Sequence, residues 1–420
     1  MSHASSEPST GSWPRGHREG WVRRRLSIIA VVTVLAAALA PASAGAVPAT
    51  GRVVVEFRSD ADVSAVAARN GLTEARQLAV GADVWSFSVQ GDPSAVAESL
   101  DAARAVRWTE PTTTLDNMAT ADGLSWAWGL SWAWGLSWAW GDPGMTTAEA
   151  IDLYENQAAV ATMEALDPGA GDGAGVVVAV IDTGVDPSHP LLQGHLTSGW
   201  DFVDGDADPS DEVDGADGDG DGLIDEAFGH GTFIASIVAA VAPQAQIMPI
   251  RVLEADGIAD SESVAEAMVW AASHGADVVN LSLGGPDRAD LLYRLAEDLL
   301  ADDTVFVAAA GNTGTRSKSY PAAEVSVISV ASTDPARQQL SPFSSFGDWV
   351  DVATPGEGLV GAMAGDMLID WDGTSGAAAL VAGFAARRTG AHPGWTATQV
   401  HTSVIASLAL PALTRGEHED

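Results

Sequence analysis

Short apolar runs alternate with helical patterns between residue 174 and residue 408. The apolar runs are six to eight residues long, rich in Val, Ile and Ala, and cover Val176–Asp182, Gln246–Leu253, Asp277–Leu283, Thr304–Ala310, Val325–Ala331 and Trp349–Thr354. Helical segments lie between them, as at Ser261–Ser273 and Arg288–Ala301. Unbroken apolar runs of this length are typical of strands buried on both faces of a parallel sheet. We therefore predict a doubly wound, mostly parallel α/β domain over residues 150–410, with its site residues at the carboxyl ends of the strands.

A smaller unit precedes this domain. Strand patterns occur at Arg52–Phe57, at Ala75–Val89 as two strands around Gly81, and at Ala105–Glu110, with helical patterns at Val63–Asn70 and Pro93–Ala103. The resulting order is β-α-β-β-α-β, the ferredoxin-like arrangement of small α+β domains. None of these residues suggests chemistry of its own. We place this unit at residues 47–116.

The first 46 residues have the pattern of an export signal. Three arginines at 23–25 precede an apolar run from Leu26 to Ala40, and small residues around Ala44 and Ala46 offer cleavage sites. The apolar run is too short for a comfortable membrane span. We therefore predict a cleaved signal peptide and a secreted, extracellular protein that keeps no stable membrane anchor. An uncleaved anchor is the alternative.

The segment between the two units, residues 117–149, contains a tandem repeat. Gly-Leu-Ser-Trp-Ala-Trp occurs three times from Gly123 to Trp140 and holds six of the fifteen tryptophans. One interpretation is an aromatic surface that contacts a carbohydrate or another partner. We favour a repeat expansion within a linker, because three copies of six residues are too few to build a repeat fold. Residues 411–420 read as a polar tail.

Composition narrows the classes of partner. The chain has 20 basic and 57 acidic residues and a formal net charge of −37. This balance argues against nucleic acid or an anionic membrane surface as a partner, since either would repel the protein. The chain has no cysteine, which excludes disulfides, thiol catalysis and cysteine-ligated metals. We expect the protein to be a monomer.

Three polar residues stand where predicted elements end or begin. Asp182 ends the first apolar run, His230 lies in Gly-His-Gly-Thr before an apolar helical stretch, and Ser375 lies in Gly-Thr-Ser-Gly at the start of an alanine-rich helix. Each alone is more commonly a cap or loop residue. Together they follow the order Asp, His, Ser, which differs from the chymotrypsin and α/β-hydrolase orders. A serine at a helix N-terminus also lies among backbone N–H groups suited to an oxyanion.

These segments resemble the signatures of the subtilisin-like peptidases, the subtilases. The matching segments are Val-Ala-Val-Ile-Asp182-Thr-Gly, Gly-His230-Gly-Thr, Gly-Thr-Ser375, Ala-Ala-Ala-Gly-Asn312 and the Val-Asn-Leu-Ser-Leu-Gly-Gly of residues 279–285. The resemblance covers about residues 150–408, and the β-α-β-β-α-β unit resembles the family's inhibitory propeptide. It implies a serine endopeptidase acting on protein or peptide substrates. It also implies a self-processing zymogen, with the propeptide as intramolecular inhibitor.

The resemblance further implies roles for single residues. Ser375 would attack the scissile carbonyl, His230 would transfer the proton, and Asp182 would orient the imidazole. Asn312 would donate its side-chain amide to the oxyanion. The substrate-binding residues implied in this way are Ser282, Leu283, Gly284, Ala309, Ala310 and Gly311. Their small side chains predict a roomy apolar pocket for a large apolar residue before the cut bond.

Three positions depart from the family's usual pattern. Gly376 stands where a bulky residue usually follows the nucleophile, Ala379 where a proline is usual, and Phe233 where many relatives carry a second histidine. Gly376 predicts a weaker helix start and less packing beside the nucleophile. No proton-transfer group is removed, so we expect the activity to be kept.

An acidic segment, residues 201–226, holds twelve Asp or Glu. Within it, Asp217-Gly-Asp-Gly-Asp221-Gly has the opening of an EF-hand calcium loop, although Phe228 replaces the glutamate of the twelfth position. We favour a structural calcium ion over a solvated acidic surface, because the spacing is specific and the repulsion without an ion would be severe. The predicted ligands are Asp217, Asp219, Asp221, Leu223, Asp225 and Glu226.

Two other functions stay open. One is a non-catalytic binding protein that keeps the fold, and the other is an esterase that uses the same three residues. The first predicts no reaction with a fluorophosphonate. The second predicts ester hydrolysis without degradation of casein.

Overall fold

The computed structural model describes residues 51–81, 83–117, 147–218, 221–365 and 367–409. The predicted signal peptide, the tandem repeat, Asp219 and the polar tail lie outside these residues. Within the described residues, no helix combines the length and the apolar character needed to cross a membrane.

Residues 51–117, which we name the N-terminal unit, contain a four-stranded antiparallel sheet. Its elements are β1 (Gly51–Phe57), α1 (Val63–Asn70), β2 (Thr73–Gln77), β3 (Val84–Val89), α2 (Pro93–Asp101) and β4 (Val106–Pro111). The strand order is β2-β3-β1-β4, so the predicted β-α-β-β-α-β succession is present. Asp62 and Asp92 begin the two helices by accepting hydrogen bonds from first-turn backbone N–H groups.

The two faces of this sheet differ because strand side chains alternate. Val53, Val55 and Phe57 point to the side covered by α1 and α2, where they form a buried cluster. Val54 joins a core cluster of the larger domain instead. The opposite face of the N-terminal unit therefore packs against that domain.

The larger domain is built on a seven-stranded sheet. Its strands are β6 (Val177–Asp182), β7 (Trp200–Asp201), β8 (Gln246–Arg251), β10 (Val278–Leu281), β12 (Val305–Ala309), β13 (Val327–Thr333) and β14 (Val352–Pro355). The order is β14-β13-β12-β10-β6-β8-β7, and all neighbours pair in parallel. The prediction of a doubly wound parallel sheet is confirmed.

Helices cover both faces of this sheet. They are α3 (Thr147–Glu155), α4 (Ala158–Leu166), α5 (His230–Val241), α6 (Ser261–Ser273), α7 (Asp290–Ala301), α8 (Thr374–Ala391) and α9 (Ala397–Leu408). One core cluster joins α5 and α8 to one face of the sheet, and a second joins α6 and α7 to the other. Because parallel strands need covering on both faces, two clusters are the expected result.

Two small sheets complete the fold. A three-stranded sheet has the order β11-β5-β9, formed by β5 (Thr114–Asn117), β9 (Ile258–Asp260) and β11 (Leu283–Gly284). A hairpin is formed by β15 (Leu359–Met363) and β16 (Met367–Trp371). The first sheet joins the N-terminal unit to the larger domain, and the hairpin leads directly into α8.

Candidate active site

Asp182 and His230 form a buried pair. Asp182 ends β6, a strand in the interior of the sheet, and is fully buried, while His230 is the first residue of α5 and is 2% exposed. His230 Nδ1 lies 2.7 Å from Asp182 Oδ1. Because a carboxylate only accepts hydrogen bonds, the imidazole proton belongs on Nδ1, which leaves Nε2 as the basic nitrogen.

The glycine after His230 allows this approach. A Cβ atom on Gly231 would lie 2.0 Å from the carbonyl oxygen of Gly184, a distance that no side chain tolerates. The backbone N–H of Gly231 donates to Thr183 Oγ1 at 3.0 Å. The Gly-His-Gly-Thr motif therefore brings the start of α5 against the end of β6.

Ser375 lies at the start of α8, after the N-cap residue Gly373. Its Oγ is buried and has no hydrogen-bond partner among the described residues. Ser375 and His230 line the same pocket, together with Phe233, Asn312, Trp371, Asp372, Gly373 and Gly376. The structure therefore brings His230 and Ser375 to one pocket, with Asp182 hydrogen-bonded to the imidazole, but without a hydrogen bond between Ser375 Oγ and the imidazole. Such catalytic hydrogen bonds are commonly long without substrate and tighten in the complex.

Asn312 is held in the same pocket by Thr374. Its Oδ1 accepts hydrogen bonds from the backbone N–H and from Oγ1 of Thr374, at 3.0 and 2.9 Å. The backbone N–H of Gly311 in turn donates to Thr374 Oγ1 at 3.1 Å. These hydrogen bonds fix the amide oxygen, so the amide nitrogen Nδ2 faces Gly373. A Cβ atom added to Gly373 would lie 3.6 Å from Asn312 Nδ2.

The six predicted substrate-binding residues are not among the residues that line this pocket. Ser282 Oγ donates to the carbonyl oxygen of Ser375 at 3.1 Å, so its side chain supports the nucleophile helix. Leu283 and Gly284 form β11, which pairs with β5. The residues that follow β12 or end it, namely Ala309, Ala310 and Gly311, are buried. Their predicted contacts with substrate stay a prediction.

Aromatic and aliphatic side chains fill the space beside Gly376. A Cβ atom there would lie 2.5 Å from Leu359 Cδ1 and 3.4 Å from Phe233 Cε1. Phe233 itself is 2% exposed and packs on Trp371, with ring centroids 5.4 Å apart. The sequence predicts less packing beside the nucleophile at Gly376. In the structure, Leu359 of β15 and Phe233 of α5 supply that packing.

Trp371, the last residue of the hairpin, also contacts the general-base candidate. Its ring meets the His230 imidazole edge to face, with centroids 5.4 Å apart and planes at 84°. An aromatic wall of this kind restricts the imidazole and keeps water from one side of it. Trp371 is not predicted as a site residue from the sequence. Its place four residues before Ser375 is the one sequence feature that points to it.

A second buried carboxylate supports the Asp–His pair. Asp211 Oδ2 accepts hydrogen bonds from Thr183 Oγ1 at 2.8 Å and from the backbone N–H of Gly229 at 2.7 Å. These partners directly follow Asp182 and directly precede His230. Burial raises the pKa of Asp211 to about 7. Sequence analysis missed Asp211 because it is one of many acidic residues in its segment.

The predicted calcium ligands that the structure describes are not gathered into one site. The carboxylate of Asp225 accepts hydrogen bonds from the backbone N–H groups of Asp214 and Gly215. Both carboxylate oxygens of Glu226 are buried, and the carboxylate of Asp256 lies beside them. Burial, and then the neighbouring Asp256, raise the pKa of Glu226 to about 8. Within the described residues, no group of three or more His, Asp or Glu side chains could hold a metal ion.

Comparison with known proteins identifies the family. A profile described as the Subtilase family matches residues 173–417. A thermophilic serine proteinase of Bacillus sp. (strain AK1) is 37% identical over 223 residues, which cover 51% of this chain and 52% of that protein. Thermitase of Thermoactinomyces vulgaris is 38% identical over 224 residues, covering 51% of this chain and 75% of thermitase. The chain belongs to the subtilase family.

Two further similarities were found. Subtilisin BL of Lederbergia lenta is 35% identical over 237 residues, covering 54% of this chain and 81% of that protein. The crystal structure of a cold adapted subtilisin-like serine proteinase matches with a TM-score of 0.49 and 32% identity, covering 55% of this chain and 81% of that one. The chain spans about half the length of the Bacillus sp. AK1 proteinase.

Proposed function

We propose that this protein is a secreted serine endopeptidase that hydrolyses peptide bonds through an acyl-enzyme intermediate. The observation that carries the proposal is the buried Asp182–His230 pair, at 2.7 Å, in one pocket with the buried hydroxyl of Ser375. Membership of the subtilase family supports a serine-type endopeptidase.

The proposed reaction uses each group according to its position. Ser375 Oγ attacks the scissile carbonyl carbon while Nε2 of His230 takes its proton and later gives it to the leaving amine. Asp182 holds the imidazole tautomer and stabilises the imidazolium. The tetrahedral oxyanion accepts hydrogen bonds from the Asn312 amide and from the backbone N–H of Ser375 at the N-terminus of α8. Water then repeats the attack on the acyl-enzyme.

We also propose that the N-terminal unit is the inhibitory part of a zymogen. Its last strand, β5, lies between two strands of the larger domain, pairing antiparallel with β11 and with β9. Strand addition to such edges is a common way to bind an extended peptide. Because β11 follows Ser282, which supports Ser375, the unit's C-terminal strand occupies an edge next to the nucleophile.

A contact at α7 supports the same docking. This helix begins at Asp290 after Ala289, which provides no side-chain cap. Glu110 of the N-terminal unit caps it instead, accepting hydrogen bonds from the backbone N–H groups of Asp290 and Leu291 at 2.7 and 3.0 Å. The first backbone N–H groups of a helix have no partner within the helix, so by accepting from two of them the unit completes an element of the larger domain.

The decisive experiment compares the wild-type chain with Ser375→Ala. We expect only the wild type to react with a fluorophosphonate, to degrade casein and to lose residues 51–117 from its N-terminus. Absence of labelling in the wild type would favour the non-catalytic binding protein. Labelling and ester hydrolysis without casein degradation would favour the esterase.

The calcium prediction remains a proposal for residues 217–226. Oxygen ligands such as these carboxylates suit calcium, and the neighbouring carboxylates of Glu226 and Asp256 would repel each other if both were charged without a cation. To hold the ion, Asp217, Asp221 and Glu226 would have to move together with Asp256 from outside the loop, because they do not form a metal site in this structure. Its contribution would be to order the segment that leads to His230.

Chelation tests the calcium proposal by stability, without reference to activity. We expect a chelator to lower the melting temperature of the Ser375→Ala chain by about 5 °C or more. Glu226→Gln should remove most of this sensitivity, whereas Glu212→Gln, at an exposed position of the same segment, should keep it. A melting temperature that the chelator leaves unchanged would refute a structural ion.

A further inference from the structure

Helix α6 presents two buried carboxylates to the N-terminal unit. The side chains of Glu262 and Glu266 are 1% and 11% exposed. They are four residues apart and therefore lie on one face of the helix. Burying two carboxylates is costly unless each one is paired and hydrogen-bonded. The groups that compensate them therefore decide whether the two surfaces can join.

Arg76 of β2 bridges both carboxylates. Its Nη1 lies 2.6 Å from Glu266 Oε2 and its Nη2 lies 2.9 Å from Glu262 Oε2. The backbone N–H of Ala79 donates a further hydrogen bond to Glu266 Oε1 at 2.9 Å. A guanidinium suits this position because its planar fork holds several donors in fixed directions.

The other oxygen of Glu262 receives donors from the same unit. The hydroxyls of Ser86 and Thr112 each donate to Glu262 Oε1 at 2.6 Å, and Arg52 Nε lies 3.6 Å from that atom. Within the described part of the chain, the hydrogen bonds that the two carboxylates accept all come from residues 76–112. A docked partner without these donors would leave two buried charges uncompensated.

We propose that Glu262 and Glu266 are the recognition site by which the larger domain selects its own N-terminal unit. The partner chemistry it selects is a sheet face that carries an arginine at position 76, flanked by hydroxyl donors. Related units without that arginine are rejected, because specificity of this kind comes from the penalty on unpaired buried charge. The inference deepens the proposed zymogen function and rests on it.

The test uses the full chain with Ser375→Ala, so that it does not depend on activity. A recognition sequence for a foreign protease replaces the second and third copies of the repeat, and the chain is cut there after purification. The dissociation rate of the N-terminal fragment from the larger domain is then measured. We expect Arg76→Glu and Glu266→Arg each to raise that rate by about tenfold or more. The double variant should return to within about threefold of the parent, because it restores the pair with exchanged charges.

Two controls separate recognition from loss of folding. Arg69→Glu makes the same charge change at an exposed position of α1, on the other face of the sheet, and should leave the rate within about twofold. Arg76→Lys keeps the charge but loses the fork, and should lie between the parent and Arg76→Glu. The parent rate should rise with salt, and the rise should be weaker in Arg76→Glu.

The results that would overturn the recognition site differ from those that would overturn the proposed peptidase activity. An unchanged rate in Arg76→Glu, or a double variant as fast as the single ones, would overturn the recognition site. Those measurements hold whether or not the wild type reacts with a fluorophosphonate. A wild type without labelling, combined with restored binding in the double variant, would overturn the peptidase and keep the recognition site.

Discussion

The hydrogen bonds of Asn312 fix its orientation, as its proposed role at the oxyanion requires. Both hydrogen bonds from Thr374 go to its oxygen, which directs the amide nitrogen to the pocket shared with His230 and Ser375. We expect Asn312→Ala to lower kcat by about 10²–10³-fold and to change KM little, because the lost hydrogen bond is made to the transition state. Steady-state kinetics on a peptide substrate measure both constants. A kcat within about twofold of wild type would remove Asn312 from the oxyanion site.

Asp211 acts through its neighbours rather than on the substrate. It fixes Thr183 and Gly229, the residues next to Asp182 and His230. Asp211→Ala leaves both partners without an acceptor, and we expect fluorophosphonate labelling to slow by about tenfold or more. Asp211→Asn keeps an accepting oxygen and should retain most of the rate. Equal rates in the alanine variant and the wild type would contradict this positioning role.

The same residue predicts a pH dependence of stability. Burial raises the pKa of Asp211 to about 7 in the folded protein, well above its value of about 3.9 in an unfolded chain. The folded state therefore binds the proton more tightly, and the stability from this group is lost as the pH rises from about 4 through about 7. Asp211→Asn removes this term. The difference in melting temperature, variant minus wild type, should therefore be more positive at about pH 8 than at about pH 5.

At the scale of elements, α5 and α8 carry the proposed general base and the proposed nucleophile and pack directly on each other. A Cβ atom on Gly383 of α8 would lie 2.7 Å from the Cβ of Val241 in α5. Near the site, Phe233 of α5 fills the space over two glycines, since a Cβ atom on Gly361 would lie 2.5 Å from its ring. Phe233 therefore couples the starts of both helices to the hairpin.

Removing this ring should affect both stability and catalysis. We expect Phe233→Ala to lower the free energy of unfolding by about 3–5 kcal/mol and to slow labelling of the folded protein by about tenfold. The double variant Phe233→Ala, Gly376→Met should recover part of both losses by refilling the cavity from α8. Phe306→Ala, at a fully buried position of β12, is the matched control: a comparable loss of stability with little change in labelling. If the two alanine variants label at the same rate, the ring has no special place in the site.

The sequence predicts those elements whose formation depends on local pattern. The runs around Val176–Asp182 and Thr304–Ala310 became β6 and β12, because continuous apolar residues can be buried only in the middle of a layered fold. The strands β5, β9 and β11 were missed, because two to four residues carry no periodicity. Their pairing depends on segments more than a hundred residues apart along the chain. Local pattern cannot reveal such partners.

The candidate site divides in the same way. Asp182, His230 and Ser375 stand in motifs whose glycines are required by close approaches, so their places can be read from the sequence. Asp211 and Trp371 have no such motif, and their roles come from contacts made only in the folded chain. The ion pair of Arg76 with Glu262 and Glu266 likewise joins residues about 190 positions apart.

At the scale of the whole molecule, the docking of the N-terminal unit should respond to pH through Glu110. Burial raises its pKa to about 7 when it caps α7, although the hydrogen bonds from that helix oppose the shift. The charged groups that face it are Asp290, which adds to the shift, and Arg294, which opposes it. In the separated unit the pKa should return to about 4.3. The docked state therefore holds the proton more tightly, and this contribution to docking weakens as the pH rises from about 4 through about 7.

We therefore expect the cut Ser375→Ala complex to dissociate roughly tenfold faster at about pH 8 than at about pH 5. Glu110→Gln removes the titrating group and should flatten this dependence, whereas Glu98→Gln, at an exposed position of α2, should keep it. Dissociation rates measured across the pH range for the three chains check the prediction. A pH dependence that survives in Glu110→Gln would assign the effect to other groups. If the dependence disappears there, rising pH loosens the docking of the N-terminal unit at the Glu110 cap of α7, a contact separate from the recognition pair on α6.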